Sequence, residues 1–297
     1  MKKQFSKVTI IGPGLIGSSL GLALKKKKLA RHILGIDKSL SNLDNAVENG
    51  SIDEGSRKIN INITDSEIIF LCTPVSQIES LAKQIVPFIN KKTIVTDVGS
   101  VKNMFSNLNL HILNKNCRVV PGHPIAGTEN SGAENADCEL FKNKWCILTP
   151  DKKDSEEVKI ISYIWEKIGM KISLMSANEH DKIMSITSHL PHLIAFTIVG
   201  TAFNLNVKRK RDLLNFSAGG FRDFTRIGSS DPKMWSDIFL KNKKYILDTL
   251  HDFNKDLEVL KKLILNMDEK NIIKLLKKTK NIRKEILKVE SKIKKKS

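Results

Sequence analysis

The sequence predicts an α/β fold, a doubly wound and mostly parallel sheet followed by an all-helical part. Three observations carry that reading. A strand-like apolar run near the N-terminus ends in a glycine-rich turn and passes into a helical pattern. Further short apolar runs alternate with helical patterns, which implies parallel strands covered on both faces. After about Ser176 no strand-like run recurs, and helical periodicity takes over.

Residues 7–12, KVTIIG, form the first strand, and 15–26, LIGSSLGLALKK, carry apolar residues at helical spacing. HILGID at 32–37, EIIFLCTP at 67–74 and KTIVTDVGS at 92–100 give three more strands, with VSQIESLAKQIVPFI at 75–89 as a helix between the last two. RVVPGHP at 118–124, KWCILTP at 144–150 and KISLMS at 171–176 are expected to extend the same sheet. The stretch from Ala177, ANEHDKIMSITSHLPHLIAFTIVGTAFNL, reads as one long helix kinked at Pro191, where a backbone donor is lost. A domain boundary near 175 results, giving 1–175 and 176–297, and no Gly-, Ser- or Pro-rich linker separates the two parts.

Composition narrows the class. A hydrophobic fraction of 40% argues against disorder, and no apolar run approaches the roughly 20 residues needed to span a bilayer. The first residues pass straight into a strand, so no signal peptide is expected, and the chain reads as a cytoplasmic protein with no membrane partner. Cys72, Cys117, Cys138 and Cys146 show no CxxC pairing and read as reduced thiols. Fifty Lys and Arg against 32 Asp and Glu give a formal charge of +18, which raises the question of a nucleic-acid partner. The excess gathers in runs: from Glu269 to Ser297 there are eleven lysines and one arginine against three glutamates. Aromatics are 6% of the chain and do not interleave with these runs, so the charge reads as solvated faces and argues against nucleic acid.

Gly12, Gly14 and Gly17 form GxGxxG between the first strand and the first helix, bracketing Leu15 and Ile16. The first glycine serves the turn, the second lets a pyrophosphate approach the backbone, and the third lets helix and strand pack closely. The free N–H groups of the helix start then face the phosphates. Asp37 ends the next strand twenty residues after Gly17, where a carboxylate can accept from an adenosine ribose. Thr73 and Pro74, after the third strand, complete the expected cofactor-binding set. The N-terminal part therefore reads as a Rossmann-like dinucleotide-binding domain, and Asp37 favours NAD over NADP because it would repel a 2′-phosphate. Lys38 beside it works the other way.

The segment GHPIAGTENSG at 122–132 has no hydrophobic period and reads as a loop presenting His123, Thr128 and Glu129. A dehydrogenase acting on an alcohol needs a group to accept the hydroxyl proton, and the imidazole of His123 suits that task. His189 and His192, three residues apart on one helical face, lack a carboxylate or thiol to complete a coordination set, so no metal is expected.

DVGSVK at 97–102, HPIAGTENSG, SHLPH at 188–192 and GGFRDFTRIGSSDPKMW at 219–235 together resemble the prephenate and arogenate (cyclohexadienyl) dehydrogenase family of tyrosine biosynthesis. The similarity runs in order to about residue 245. It implies NAD-dependent oxidative decarboxylation, with 4-hydroxyphenylpyruvate or tyrosine as product, and a helical domain that forms a homodimer. It also implies that His123 takes the hydroxyl proton, that Arg226 holds a substrate carboxylate, and that His192 faces the substrate with His189 in support. Packing between domains is the other reading of the two histidines. Ser100 either orients His123 or the hydroxyl, or caps a helix from 101 onwards. Arg222 is a further substrate candidate or half of a surface pair, Thr128 and Glu129 line the entrance, and Trp235 is core or pocket wall. Phe224 stands where many relatives would have a small or hydroxyl residue. The competing enzyme class is a two-domain β-hydroxyacid-type dehydrogenase with a lysine on the long helix, for which Lys182 lacks the surrounding pattern.

Overall fold

The computed structural model describes residues 4–106, 113, 115–128, 130–204, 215 and 218–295. Six parallel strands, β1 (Phe5–Ile11), β2 (Ala30–Ile36), β3 (Glu54–Ser56), β4 (Ile68–Leu71), β5 (Ile94–Asp97) and β6 (Arg118–Val120), form the main sheet in the order β3-β2-β1-β4-β5-β6. The chain runs outward from β1 to β3, then returns to place β4 on the other side of β1. Strand order thus reverses between β1 and β4, where Ile11 lies opposite Leu71, and a crevice forms beyond their carboxyl ends.

Burial on both faces explains why these strands read as unbroken apolar runs. Val8, Ile10, Ile68 and Phe70 join one core with Leu20 and Leu24 of helix α1 (Leu15–Lys26). Ile11, Ile69 and Leu71 join the other with Ile78, Leu81 and Ile85 of α3 (Val75–Ile85). Between them, α2 (Leu40–Glu48) is capped by Ser39, which accepts from Asn42 N.

The strands after β6 do not extend this sheet, contrary to expectation. They build a second one, β7 (Gly122–Pro124), β8 (Trp145–Leu148) and β9 (Lys171–Leu174), with β7 antiparallel and β9 parallel to β8. The cause lies in the run 118–124. Pro121 has no N–H to give to a ladder, so the strand breaks there, and Gly122 opens a new pairing with Leu148. Helix α4 (Glu156–Lys167) links β8 to β9 and buries Trp165 against Phe70 and Phe141, with ring centroids 6.1 and 5.4 Å away.

The rest of the chain is helical. α5 (Ala177–Met184) starts at a reciprocal cap, in which Ser176 accepts from Glu179 N while the Glu179 carboxylate accepts from Ser176 N. It continues through a π turn, Ser185–His189, into α6 (Leu190–Asn204). Where a kink at Pro191 was expected, the helix widens just before it, Leu190 N donating to Ser185 O five residues back. After these come α7 (Gly219–Thr225), a 3-10 turn Arg226–Ser229, α8 (Pro232–Lys241), α9 (Lys243–Leu265) and α10 (Glu269–Lys295). The chain's internal contacts define two compact units, Met1–Lys243 and Lys244–Ser297. The expectation of no apolar run near membrane length needs correction. Ala177–Asn204 is long and apolar enough to cross a bilayer by length and composition, with 28% of its apolar window buried in this chain. Its His180, Asp181 and His189 are nevertheless buried and hydrogen-bonded beside His123 and Asn242.

Candidate active site

The GxGxxG turn has the shape its sequence demands. Gly12 adopts φ 88°, and a Cβ there would lie 2.9 Å from Cys72 O and 2.8 Å from Thr73 Cγ2. A Cβ on Gly17 would sit 2.4 Å from Gly12 O, so only glycine lets α1 start so close to β1. Gly14, by contrast, has nothing within 4 Å of its Cβ position, and no side chain caps the helix it opens. An open position before an uncapped helix start carrying Leu15 and Ile16 fits a diphosphate, whose oxygens would accept from the free N–H groups. Asp37, at the end of β2, is held by Ser39 N at 2.9 Å and Asn42 Nδ2 at 3.2 Å. Thr73 faces this turn from the end of β4, and Pro74 after it is the N-cap residue of α3.

The second half of the site begins at the end of β5. Asp97 and Lys102 form an ion pair of 2.5 Å, both side chains fully buried. They clamp one residue: Gly122 N donates to Asp97 Oδ1 at 3.1 Å, and Lys102 Nζ donates to Gly122 O at 2.5 Å. The backbone just before His123 is thereby fixed from both sides. Burial works against both charges, pushing the Asp97 carboxyl up and the Lys102 amine down, while each partner pulls the other back. Three N–H donors reach Asp97, from Lys102 Nζ, Gly99 and Gly122, and each opposes the effect of burial on its carboxyl.

His123 is buried, and its Nδ1 lies 2.8 Å from Nε2 of His180 on α5. His180 Nδ1 lies 2.7 Å from Asp181 Oδ1. Asp181 also accepts from the backbone N–H groups of Lys102 and Asn103, each at 2.8 Å. Burial alone would raise the Asp181 carboxyl; the His180, Lys102 and Asn103 donors outweigh it and bring the carboxyl below its ordinary value. Burial, joined by the charges of His180, Lys102 and His189, holds His123 well below the usual imidazole range. His123 is therefore a neutral base near pH 7.

Two expectations for Ser100 change here. The next turn begins at Asn103 as a short 3-10 segment, and its first N–H groups are capped by Asp181 rather than by Ser100. Among the described residues Ser100 makes no hydrogen bond to His123, whose inward nitrogen belongs to His180. Ser100 is half-buried, between the two residues of the clamp in sequence.

The network continues through Asn242, whose Nδ2 donates to Asp181 O and to His189 Nδ1, both at 2.9 Å. His189 is buried, and its Nε2 has no partner among the described residues. Burial lowers its imidazole to about 4. His192 donates from Nδ1 to Ser188 O at 2.9 Å and stacks on Trp235 of α8. Burial lowers His192 as well, the Ser188 carbonyl opposes this, and the charge of Arg226 adds to it; Arg226 is exposed, on a turn that packs against the helix of His192. Trp235 is thus a core residue of this helix. Asp237, on the same helix, accepts from Ser76 at the start of α3 and from Lys233, tying α3 to α8.

The remaining candidates are less engaged. Arg222 and Thr128 are exposed, and Thr128 Oγ1 accepts from Asn130 N. Glu129 lies outside the described residues. Lys182 is exposed on α5, away from the buried relay. No cluster of three or more metal-ligating side chains occurs among the described residues. Sequence reasoning missed Asp97, Lys102, His180, Asp181 and Asn242. The signals were present, in the two charged ends of DVGSVK and in the adjacent His-Asp of ANEHD.

Known proteins share this arrangement of domains. Residues 20–174 match the family model for the prephenate dehydrogenase nucleotide-binding domain, and 176–278 match the model for its dimerization domain. The chain belongs to the prephenate dehydrogenase family. Among family members, it is 35% identical to cyclohexadienyl dehydrogenase of Zymomonas mobilis over 94% of this chain and 95% of that one. The solved structure of prephenate dehydrogenase from Aquifex aeolicus, in complex with hydroxyphenyl propionate and NAD+, superposes with a TM-score of 0.88 at 38% identity, covering 95% and 98% of the two chains. Synechocystis arogenate dehydrogenase superposes at 0.80 with 29% identity over 94% and 99%. Family membership makes this chain an oxidoreductase and disfavours the β-hydroxyacid alternative.

Proposed function

We propose that the chain oxidises and decarboxylates prephenate or arogenate with NAD, giving 4-hydroxyphenylpyruvate or tyrosine, as a homodimer in the cytoplasm. The observation that carries this is a neutral, buried His123 fixed by the Gly122 clamp in a chain that also holds an open GxGxxG cradle. Residues 1–175 supply the dinucleotide domain and residues 176–297 the helical domain in this reading.

NAD, when bound, accepts the hydride from the ring carbon that bears the hydroxyl. Asp37 holds the adenosine ribose and disfavours NADP, while Gly12, Gly14 and Gly17 admit the diphosphate to the start of α1. His123 accepts the hydroxyl proton as the carbon is oxidised. The ring carboxylate departs as carbon dioxide, its bonding pair enters the ring, and the proton on His123 returns to the phenolic oxygen. Aromatisation drives the step, so the protein's tasks are position and polarity. Arg226 pairs with a substrate carboxylate, His192 lies against the substrate from its Trp235 platform, and the unpaired Nε2–H of His189 supplies a further donor. Ser100 addresses the reacting hydroxyl, and Thr128, Glu129 and Arg222 line the entrance.

Exposed apolar side chains on the helices, Ile198 and Phe203 among them, support a second copy as partner, in keeping with the dimerization-domain match. The deciding experiment is NADH production with prephenate and arogenate in turn. Turnover of either supports the reading, and turnover of neither overturns it.

A further inference from the structure

The relay behind His123 has a chemical direction that its hydrogen-bond partners dictate. Asp181 is ionised and can only accept, and it already accepts from Lys102 N and Asn103 N. The proton between His180 and Asp181 therefore resides on His180 Nδ1. A neutral His180 then has a bare Nε2, which can only accept, so the proton between the two imidazoles resides on His123 Nδ1. One proton per neutral ring leaves His123 Nε2 bare.

We propose that His180 and Asp181 are positioning residues that set the tautomer of His123, so that its Nε2 is the free acceptor for the substrate's hydroxyl proton and the resulting charge is shared along the relay. The inference rests on the function proposed above and extends it to two residues outside the expected site. When the O–H bond of the substrate breaks and the N–H bond forms at Nε2, His123 becomes a cation with two N–H groups. Its Nδ1–H then donates a charge-assisted bond to His180, whose own Nδ1–H points at the Asp181 carboxylate. The groups facing this pair are Lys102 and Asp97 from the β5 end, His189 from the π turn and the Cys146 thiol from β8. Among them Lys102 opposes charge on His123 and on His180, while the Asp181 and Asp97 carboxyls favour it on His180, Asp181 through a direct hydrogen bond.

The geometry also separates this role from packing. Glutamine at 180 can offer Oε1 to the His123 Nδ1–H, whereas phenylalanine fills the space and offers nothing. His180→Phe is expected to lower kcat by roughly 10²-fold, with little change in the NAD constant, and to move the acid limb of the pH profile downward because the His123 cation has lost its acceptor. His180→Gln should recover on the order of tenfold of that loss. Equal kcat and equal pH profiles in the two variants would overturn the proposal. Nitrogen-15 NMR of histidine-labelled wild-type protein reads the tautomers without turnover: both His123 and His180 should carry their proton on Nδ1. A proton on His123 Nε2 at neutral pH sinks the relay even if the enzyme is active. The expected tautomers in a protein that turns over neither substrate would instead sink the proposed function alone.

Discussion

His192 lies flat against Trp235, with ring centroids 3.7 Å apart and planes 20° from parallel. Stacking of this kind contributes about 0.5–1.5 kcal/mol beyond buried area. Trp235→Leu is therefore expected to raise the substrate KM by roughly two- to tenfold while leaving the NAD KM alone. Steady-state kinetics with each ligand varied separately checks this, and a matching rise in both constants would count against the platform role of Trp235.

Arg226 acts on His192 through its charge. Arg226→Ala removes the substrate's carboxylate partner and should raise the substrate KM by on the order of tenfold or more. The His192 imidazole should also become easier to protonate, since a neighbouring cation is gone. An NMR titration of His192 in the variant would show a higher midpoint than in the wild type.

His123→Asn keeps a polar side chain in place and removes the base. Turnover should fall by roughly 10²-fold, with NAD affinity unchanged. Retained turnover would take His123 out of the chemistry.

Asp37 ends β2 with its carboxylate held by Ser39 and Asn42. Wild-type protein should prefer NAD to NADP, and Asp37→Asn should narrow that preference by on the order of tenfold, because a like-charge clash with the 2′-phosphate is lifted. Comparing kcat/KM for the two cofactors measures the effect, and a wild-type preference for NADP would refute the role of Asp37.

Stability should depend on pH through the buried imidazoles. An unfolded chain binds a proton at His189 below about pH 6.5, whereas the folded chain refuses it until about pH 4. Stability therefore falls as pH drops through that window and is flat above it for this group. The shift corresponds to about 3 kcal/mol at full extent. Denaturant melts of the wild type and of His189→Gln between pH 7 and pH 4 should differ in slope, the variant being the flatter.

The parts of the site written locally were the parts legible in the sequence. The GxGxxG turn and Asp37 each lie within a few residues of the strand end that positions them, whereas His123, expected on a loop, stands buried in the middle of β7, just past the strand break at Pro121. The relay was hidden because His180 stands 57 positions from His123 and meets it only through the tertiary fold. The second sheet was itself misread, since an apolar run crossing Pro121 looks continuous until the missing donor is followed to its consequence. Ser100 drew attention as a hydroxyl, while the charged residues flanking it, Asp97 and Lys102, do the holding.

The π turn at Ser185–His189 inserts one residue into an otherwise α-helical rod, and an insertion of that kind rotates the downstream turns by roughly 100°. His180 and Asp181 belong to the phase before it, His192 to the phase after. Excising a single amino acid between positions 185 and 188 would realign the two halves and swing His192 off its indole seat. The length of this loop-free segment is thus as much a determinant of the pocket as any side chain in it, and a one-codon deletion there is predicted to disable an enzyme whose every named functional group is still encoded.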